Sequence, residues 1–224
     1  MKIYIVIPAH NEQQHIAKTL ESLVNQHLIP AHVVVVNDNS TDRTAEIVNY
    51  FTQQHDWIQQ IYNKSSDEHL PGAKIVDAFY KGYGVLDENY DIICKYDADM
   101  FFEPNYLLKL SRHFKENNRL GIAAGQCYIQ KGDQWILEKL NKEDHIRGAL
   151  KAYRKGCFME IGKIAKSIGW DTLDELMAQY HGWEVKVDPT LKVKHLKPTG
   201  FNYSPGAERL QGVATYRMRL GLIL

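Results

Sequence analysis

Apolar runs and helix-spaced apolar positions alternate along the first half of the chain. Ile3 to Ile7 is a short apolar run closed by Pro8, which reads as a buried strand. Asn11 then offers an N-cap, with Gln14 three residues on, as in a capping box. Ile16, Leu20, Leu23 and Val24 follow at helical spacing, and Pro30 ends the unit. Val33 to Val36 is β-branched throughout and predicts a second strand. Asn37-Asp38-Asn39-Ser40 turns the chain into a helix with Ile47, Val48 and Phe51 on one face. Trp57 to Tyr62 is a weaker third strand. Pro71-Gly72 opens a helix bearing Ile75, Val76, Phe79 and Tyr83. Asp91 to Tyr96 is a fourth strand, and Pro104 begins a helix carrying Leu107, Leu108, Leu110 and Phe114.

Strand–helix alternation of this kind predicts an α/β fold, with a mostly parallel, Rossmann-like central sheet flanked by helices. Beyond Gly121 the rhythm breaks. Ile122 to Gln130 reads as a longer strand. The charged stretch 131–157 reads as a loop or an exposed helix. Phe158 to Ser167 and Asp171 to Tyr180 read as helices, the second ended by Gly182. Val185, Val187, Leu191 and Val193 suggest a closing hairpin around Pro189. No repeat or flexible linker marks a domain boundary. The expectation is a single domain over 1–224, with a nucleotide-binding half at 1–115, an acceptor half at 116–200 and a basic tail at 201–224.

Composition narrows the function classes. With 224 residues, 44% of them hydrophobic and 24% charged, the chain is of globular type. Lys+Arg and Asp+Glu are both 27, a balance that argues against nucleic acid as the main partner. From Lys186 onward, seven basic residues face two acidic ones, leaving +5 (7 − 2) for a phosphate or an anionic membrane surface. Cys94, Cys127 and Cys157 lack CxxC spacing, so neither a disulfide framework nor a zinc site is indicated. The opening residues are too short and strand-like for a signal peptide, and no apolar run approaches the ~20 residues of a membrane span. A cytoplasmic setting is the simplest expectation. The aliphatic close Leu220-Gly221-Leu222-Ile223-Leu224 suggests continuation toward a membrane-facing helix.

The candidate chemistry gathers at strand ends. The fourth strand leads into Asp97 and Asp99, where open α/β sheets bind their ligands. Two nearby carboxylates repel unless a cation lies between them. Mg²⁺ and Mn²⁺ favour oxygen ligands of this sort, often completed by substrate phosphates. The first strand leads into Pro8-Ala9-His10-Asn11-Glu12, which excludes both GxGxxG and the P-loop. A nucleotide would therefore be gripped by side chains. Asp38 can accept hydrogen bonds from a base or ribose. Ser40 and Thr41 would serve equally as helix caps.

Taken in order, Ile5-Val6-Ile7-Pro8-Ala9-His10-Asn11-Glu12, Val35-Val36-Asn37-Asp38-Asn39-Ser40-Thr41-Asp42 and Tyr96-Asp97-Ala98-Asp99 resemble family 2 glycosyltransferases of GT-A fold. Gly169-Trp170-Asp171-Thr172-Leu173-Asp174-Glu175 and Val193-Lys194-His195 extend the resemblance to about Gly200. It implies that Pro8, Ala9 and Glu12 line the nucleotide pocket, that Asp38 bonds the base, and that Lys74 contacts base or phosphate. Asp97 would meet the ribose or a metal-bound water, and Asp99 would bind Mg²⁺ or Mn²⁺, with His195 as a further metal contact. Asp174 would be the catalytic base, with Asp171 as its rival. The implied reaction is inverting transfer from a nucleotide sugar, UDP-linked rather than GDP-linked, to a hydroxyl of a glycan or lipid-linked acceptor. It would run in the cytoplasm, at the inner face of the membrane if the basic tail docks there. The chain departs from the family at Asn37, commonly Asp, and at Gly162-Lys163, often Gly-Gly.

One other class stays open, and two more fit the sequence poorly. A scaffold subunit could hold a nucleotide without transferring sugar. A pyrophosphorylase would need a glycine- and arginine-rich loop after the first strand, and an Asp-x-Asp phosphatase would carry its pair after the first strand rather than the fourth.

Overall fold

The computed structural model describes residues 1–65, 73–138 and 145–198. In chain order the elements are β1 (Ile3–Ala9), α1 (Ile16–Val24), β2 (His32–Asp38), α2 (Thr44–Gln54), β3 (Ile58–Asn63), α3 (Ala73–Tyr83), β4 (Ile92–Tyr96), β5 (Met100–Phe102) and α4 (Tyr106–Glu116). There follow β6 (Leu120–Lys131), β7 (Gln134–Leu137), β8 (Leu150–Arg154), α5 (Lys155–Glu160), α6 (Trp170–Tyr180) and β9 (Glu184–His195).

The described strands form one sheet in the order β3-β2-β1-β4-β8-β6-β9-β5, with β7 on the side of β6. Its first four strands are parallel, as the alternation predicts. β1, β2 and β4 are buried on both faces and read as continuous apolar runs for that reason. The chain runs outward from β1 to β3 and then returns to place β4 on the other side of β1. The order therefore reverses between β1 and β4, and the crevice beyond their carboxyl ends is where a ligand is expected.

The second half is mixed. β8 pairs antiparallel with both β4 and β6, and β9 runs parallel to β6 before pairing antiparallel with β5. Four expectations change here. The stretch 131–157 is not simply a loop or an exposed helix: its described part supplies β7 and the central strand β8 before α5 begins at Lys155. The second half of 158–167 is not helical, because α5 stops at Glu160 and Gly162 and Lys163 both adopt positive φ (78° and 68°). The closing hairpin is instead one long strand with a bulge. Its register against β6 shifts between Gly125 and Gln126, and Pro189 is tolerated there because a bulge leaves its position outside the ladder. A side chain at Gly125 would lie 1.9 Å from the Leu191 carbonyl oxygen, so only glycine admits this approach. Finally, Asn11 is not a helix cap. It has φ 54°, and α1 begins only at Ile16. Pro71-Gly72 and the tail 201–224 lie outside the described residues.

Candidate active site

The β1/β4 crevice collects acids from both strand ends. Glu12 follows β1, and Asp97 and Asp99 follow β4. Burial raises the Glu12 carboxyl. The Lys197 ammonium, 2.7 Å from its Oε1, works the other way, and the nearby charges of Asp99 and Asp97 push it up further. The three acids thus feel one another across the crevice. β9 brings His195 to the same place, with Nε2 3.4 Å from Asp99 Oδ2 and Nδ1 2.8 Å from Glu138 Oε2. Burial would lower the His195 pKa, but its hydrogen bonds to Asp99 and Glu138 win and lift it to about 9. Arg147 anchors Glu138 in turn, at 2.5 Å.

The residues fit a divalent cation. Asp99 Oδ1 is buried without a hydrogen-bond partner among the described residues, and so is Glu12 Oε2. An unsatisfied buried carboxylate oxygen is costly unless something charged meets it. No group of three or more His, Cys, Asp or Glu side chains suited to a metal exists among the described residues. Asp99 and His195 would leave the remaining coordination to substrate phosphate and water, as Mg²⁺ usually requires.

The other wall is built from the loops after β1 and β2. Asn11 accepts from the Thr41 N–H (2.8 Å) through its side chain and donates its own N–H to Ser40 (3.0 Å). The Glu12 N–H donates to Thr44 Oγ1 at 2.8 Å. The polar residues that read as helix caps are therefore spent on holding the two loops together. Pro8 is half-buried and Ala9 buried at the end of β1. Asp38 ends β2, its Oδ1 accepting from the Asn63 amide (2.9 Å) and the Ser65 N–H (3.1 Å). Lys74 is half-buried in the first turn of α3.

The two α6 acids, Asp171 and Asp174, have different surroundings. Asp174 is only 3% exposed. One of its oxygens accepts from Lys151 Nζ at 2.5 Å and the other from the Tyr153 hydroxyl. Burial raises its carboxyl to about 6 against the pull of Lys151. Asp171, one turn earlier, keeps about a third of its side chain exposed and lies 3.7 Å from His145, an ion pair rather than a hydrogen bond. Burial would raise its carboxyl, but His145 and Lys151 hold it below the usual range.

Gly148 connects this helix to the acidic pair. Its carbonyl accepts from Lys95 Nζ at 2.9 Å, and the same ammonium pairs with Asp97. A side chain at Gly148 would come within 2.8 Å of the Trp170 ring and 3.3 Å of Asp171 Cβ. Asp97 and Asp171 are thereby neighbours through one loop and one ring. Lys95, Glu138, His145, Lys151 and Lys197 escape sequence reading. The one available signal was a lysine inside the apolar run Ile92–Tyr96.

The sheet order and crevice define a GT-A type fold. Two solved structures share it: S. aureus TarS 1-349 in complex with UDP-GlcNAc (TM-score 0.72, 15% identity, 100% of this chain and 68% of that one) and the mannosyltransferase PcManGT from Pyrobaculum calidifontis in complex with GDP-Man and Mn²⁺ (TM-score 0.69, 15% identity, 89% and 58%). The pattern of Glycosyl transferase family 2 matches residues 4–165, and the chain belongs to that family. A probable glycosyltransferase of Bacillus subtilis (strain 168), YdaM, is 34% identical over 140 residues, covering 62% of this chain and 32% of the relative. The chain's match covers 32%, 40% and 42% of the length of three of the curated relatives. No helix among the described residues is long and apolar enough to cross a membrane.

Proposed function

We propose that the protein is an inverting glycosyltransferase that moves a sugar from a nucleotide donor to a hydroxyl of a glycan or lipid-linked acceptor. The observation that carries this is the meeting of Glu12, Asp97, Asp99 and His195 in the β1/β4 crevice, with one Asp99 oxygen buried and unpaired among the described residues. In this reading Pro8, Ala9 and Glu12 line the nucleotide pocket, Asp38 and Lys74 address the base, and Asp97 meets the ribose. Asp99 and His195 hold Mg²⁺ or Mn²⁺. Bound there, the cation offsets the negative charge that builds on the leaving diphosphate.

Asp171 takes the place of Asp174 as base. Asp174 has both oxygens engaged behind Lys151 and Tyr153, whereas Asp171 is ionised and reaches solvent. The acceptor oxygen attacks the anomeric carbon as its proton passes to Asp171 and the bond to the diphosphate breaks. One displacement inverts the centre, and general-base help of this kind contributes roughly 10²–10⁴ in rate.

A UDP-linked donor is favoured over a GDP-linked one, and the inner face of the membrane is the favoured location, through a tail outside the described residues. A thermal-shift panel of UDP, GDP and CMP with Mn²⁺ tests the first, because the preferred nucleotide raises apparent stability most. Donor hydrolysis or transfer should disappear with EDTA. Full activity in its presence overturns the metal-assisted reading, and tight UDP binding without turnover of any donor favours the scaffold alternative.

A further inference from the structure

The proposed chemistry leaves a group of buried charges without a task. Lys151 on β8 is completely buried. Its ammonium donates to the Asp171 carbonyl oxygen, to Asp174 Oδ1 at 2.5 Å and to Glu175 Oε1 at 2.9 Å. His145 lies on the other side of the same helix turn. Its Nε2 is 3.7 Å from Asp171 Oδ2 and its Nδ1 3.2 Å from Glu175 Oε2. The Ile146 N–H adds a bond to Glu175 Oε1 at 2.9 Å.

This is an expensive way to hold a helix. Apolar packing of similar volume usually stabilises at least as well as a buried ionic network. Among the described residues no side chain caps the start of α6, and Gly169 enters it in the left-handed region (φ 75°). The first turn is therefore gripped by two cations instead of by a cap. The grip bears on Asp171 twice, at its carbonyl through Lys151 and at its carboxylate through His145. Lys95, the register partner of Lys151 on β4, pairs with Asp97. The two ammonium groups lie 5.4 and 5.9 Å from the Trp170 ring, so the helix turn is seated against the strand that carries the acidic pair.

We propose that His145 and Lys151 are positioning residues for the base: Lys151 pins the backbone of Asp171, and His145 keeps its carboxylate charged and oriented. The inference rests on the reading of Asp171 as base. Neither cation gives up a proton in the reaction, since the acceptor proton ends on Asp171. The charged groups facing His145 are Asp171, Glu175 and Lys151. The two acids, outweighing burial, raise its pKa to about 9, so it is cationic at neutral pH.

The test is the pH dependence of kcat and the donor KM for His145→Gln, His145→Arg, Glu175→Gln and Asp171→Asn. Loss of the imidazolium should raise the Asp171 pKa, so the acidic limb of His145→Gln should move up by about one pH unit. Its kcat at neutral pH should fall ~10-fold or more with mispositioning, while donor KM stays within about twofold because uniform donor binding is untouched. His145→Arg should keep the limb near its original position. Glu175→Gln removes a neighbouring negative charge and should move the limb the other way, which keeps the idea testable if His145→Gln does not fold. A limb that stays put in His145→Gln, or in Glu175→Gln where His145→Gln does not fold, or that moves equally in His145→Gln and His145→Arg, overturns the positioning role. Wild-type turnover in Asp171→Asn would instead remove the base assignment itself. An inactive Asp171→Asn beside an unmoved limb sinks only the clamp.

Discussion

Replacing Asp174 and Asp171 in turn by asparagine should separate a structural acid from a catalytic one. Asp174→Asn leaves the fully buried Lys151 short of one charge partner. Breaking a buried pair costs about 3–5 kcal/mol. Two features reduce that here. Glu175 still lies 2.9 Å from the ammonium, and the variant no longer buries the carboxylate that desolvation pushes to about 6. A loss of about 2–3 kcal/mol remains, which in a chain of this size lowers Tm by ~4–12 °C. Turnover of the folded fraction should survive. Asp171→Asn should do the opposite. Its ion pair with His145 is partly exposed and worth at most ~1 kcal/mol, so Tm barely moves. Turnover should fall by roughly 10²–10⁴. Thermal unfolding and single-turnover transfer, run on the same preparations, give both readings. A stable, inactive Asp174→Asn beside an active Asp171→Asn would refute the assignment and return the base role to Asp174.

Asp99→Ala should abolish Mn²⁺-dependent UDP binding in calorimetry, and retention of that binding would remove Asp99 from the cation site. His145 and His195 both titrate near pH 9 when folded, against ~6.5 for free imidazole. A raised folded pKa contributes stability that is complete below pH 6.5 and is lost as pH rises through 9. Calorimetric Tm of the metal-free protein should therefore fall over that window, and a flat profile would contradict the ionic contacts described. Gly125→Ala forces a methyl group against the Leu191 carbonyl and should cost about 3 kcal/mol or more, read as a large drop in Tm or in soluble yield.

The parallel half of the fold was legible because burial on both faces leaves β1, β2 and β4 as plain apolar runs. The crevice was legible for the same reason, since its residues follow those runs directly. β8 was not. Leu150-Lys151-Ala152-Tyr153-Arg154 is buried along most of its length, yet carries two cations whose partners lie elsewhere in the chain. Alternation fails as a signal when a charge is neutralised from a helix some 20 residues on. Pro189 misled in the usual direction, since a proline in a strand argues for a break unless a bulge opposite a glycine absorbs it. The sequence cannot choose between Asp171 and Asp174 as base, because both stand near the start of one helix. Only the ring of donors around Asp174 distinguishes them.

The place of β9 limits how this domain can be cut or recombined. It lies between β6 and β5, yet it comes after the family-matched stretch ends at residue 165. A chimaera joined at that point would discard α6, His195 and Lys197 together. It would also leave one side of β6 as a bare, sticky ladder of amides and carbonyls. Grafting experiments should carry the chain through Pro198, or expect insoluble hybrids whose failure says nothing about donor choice.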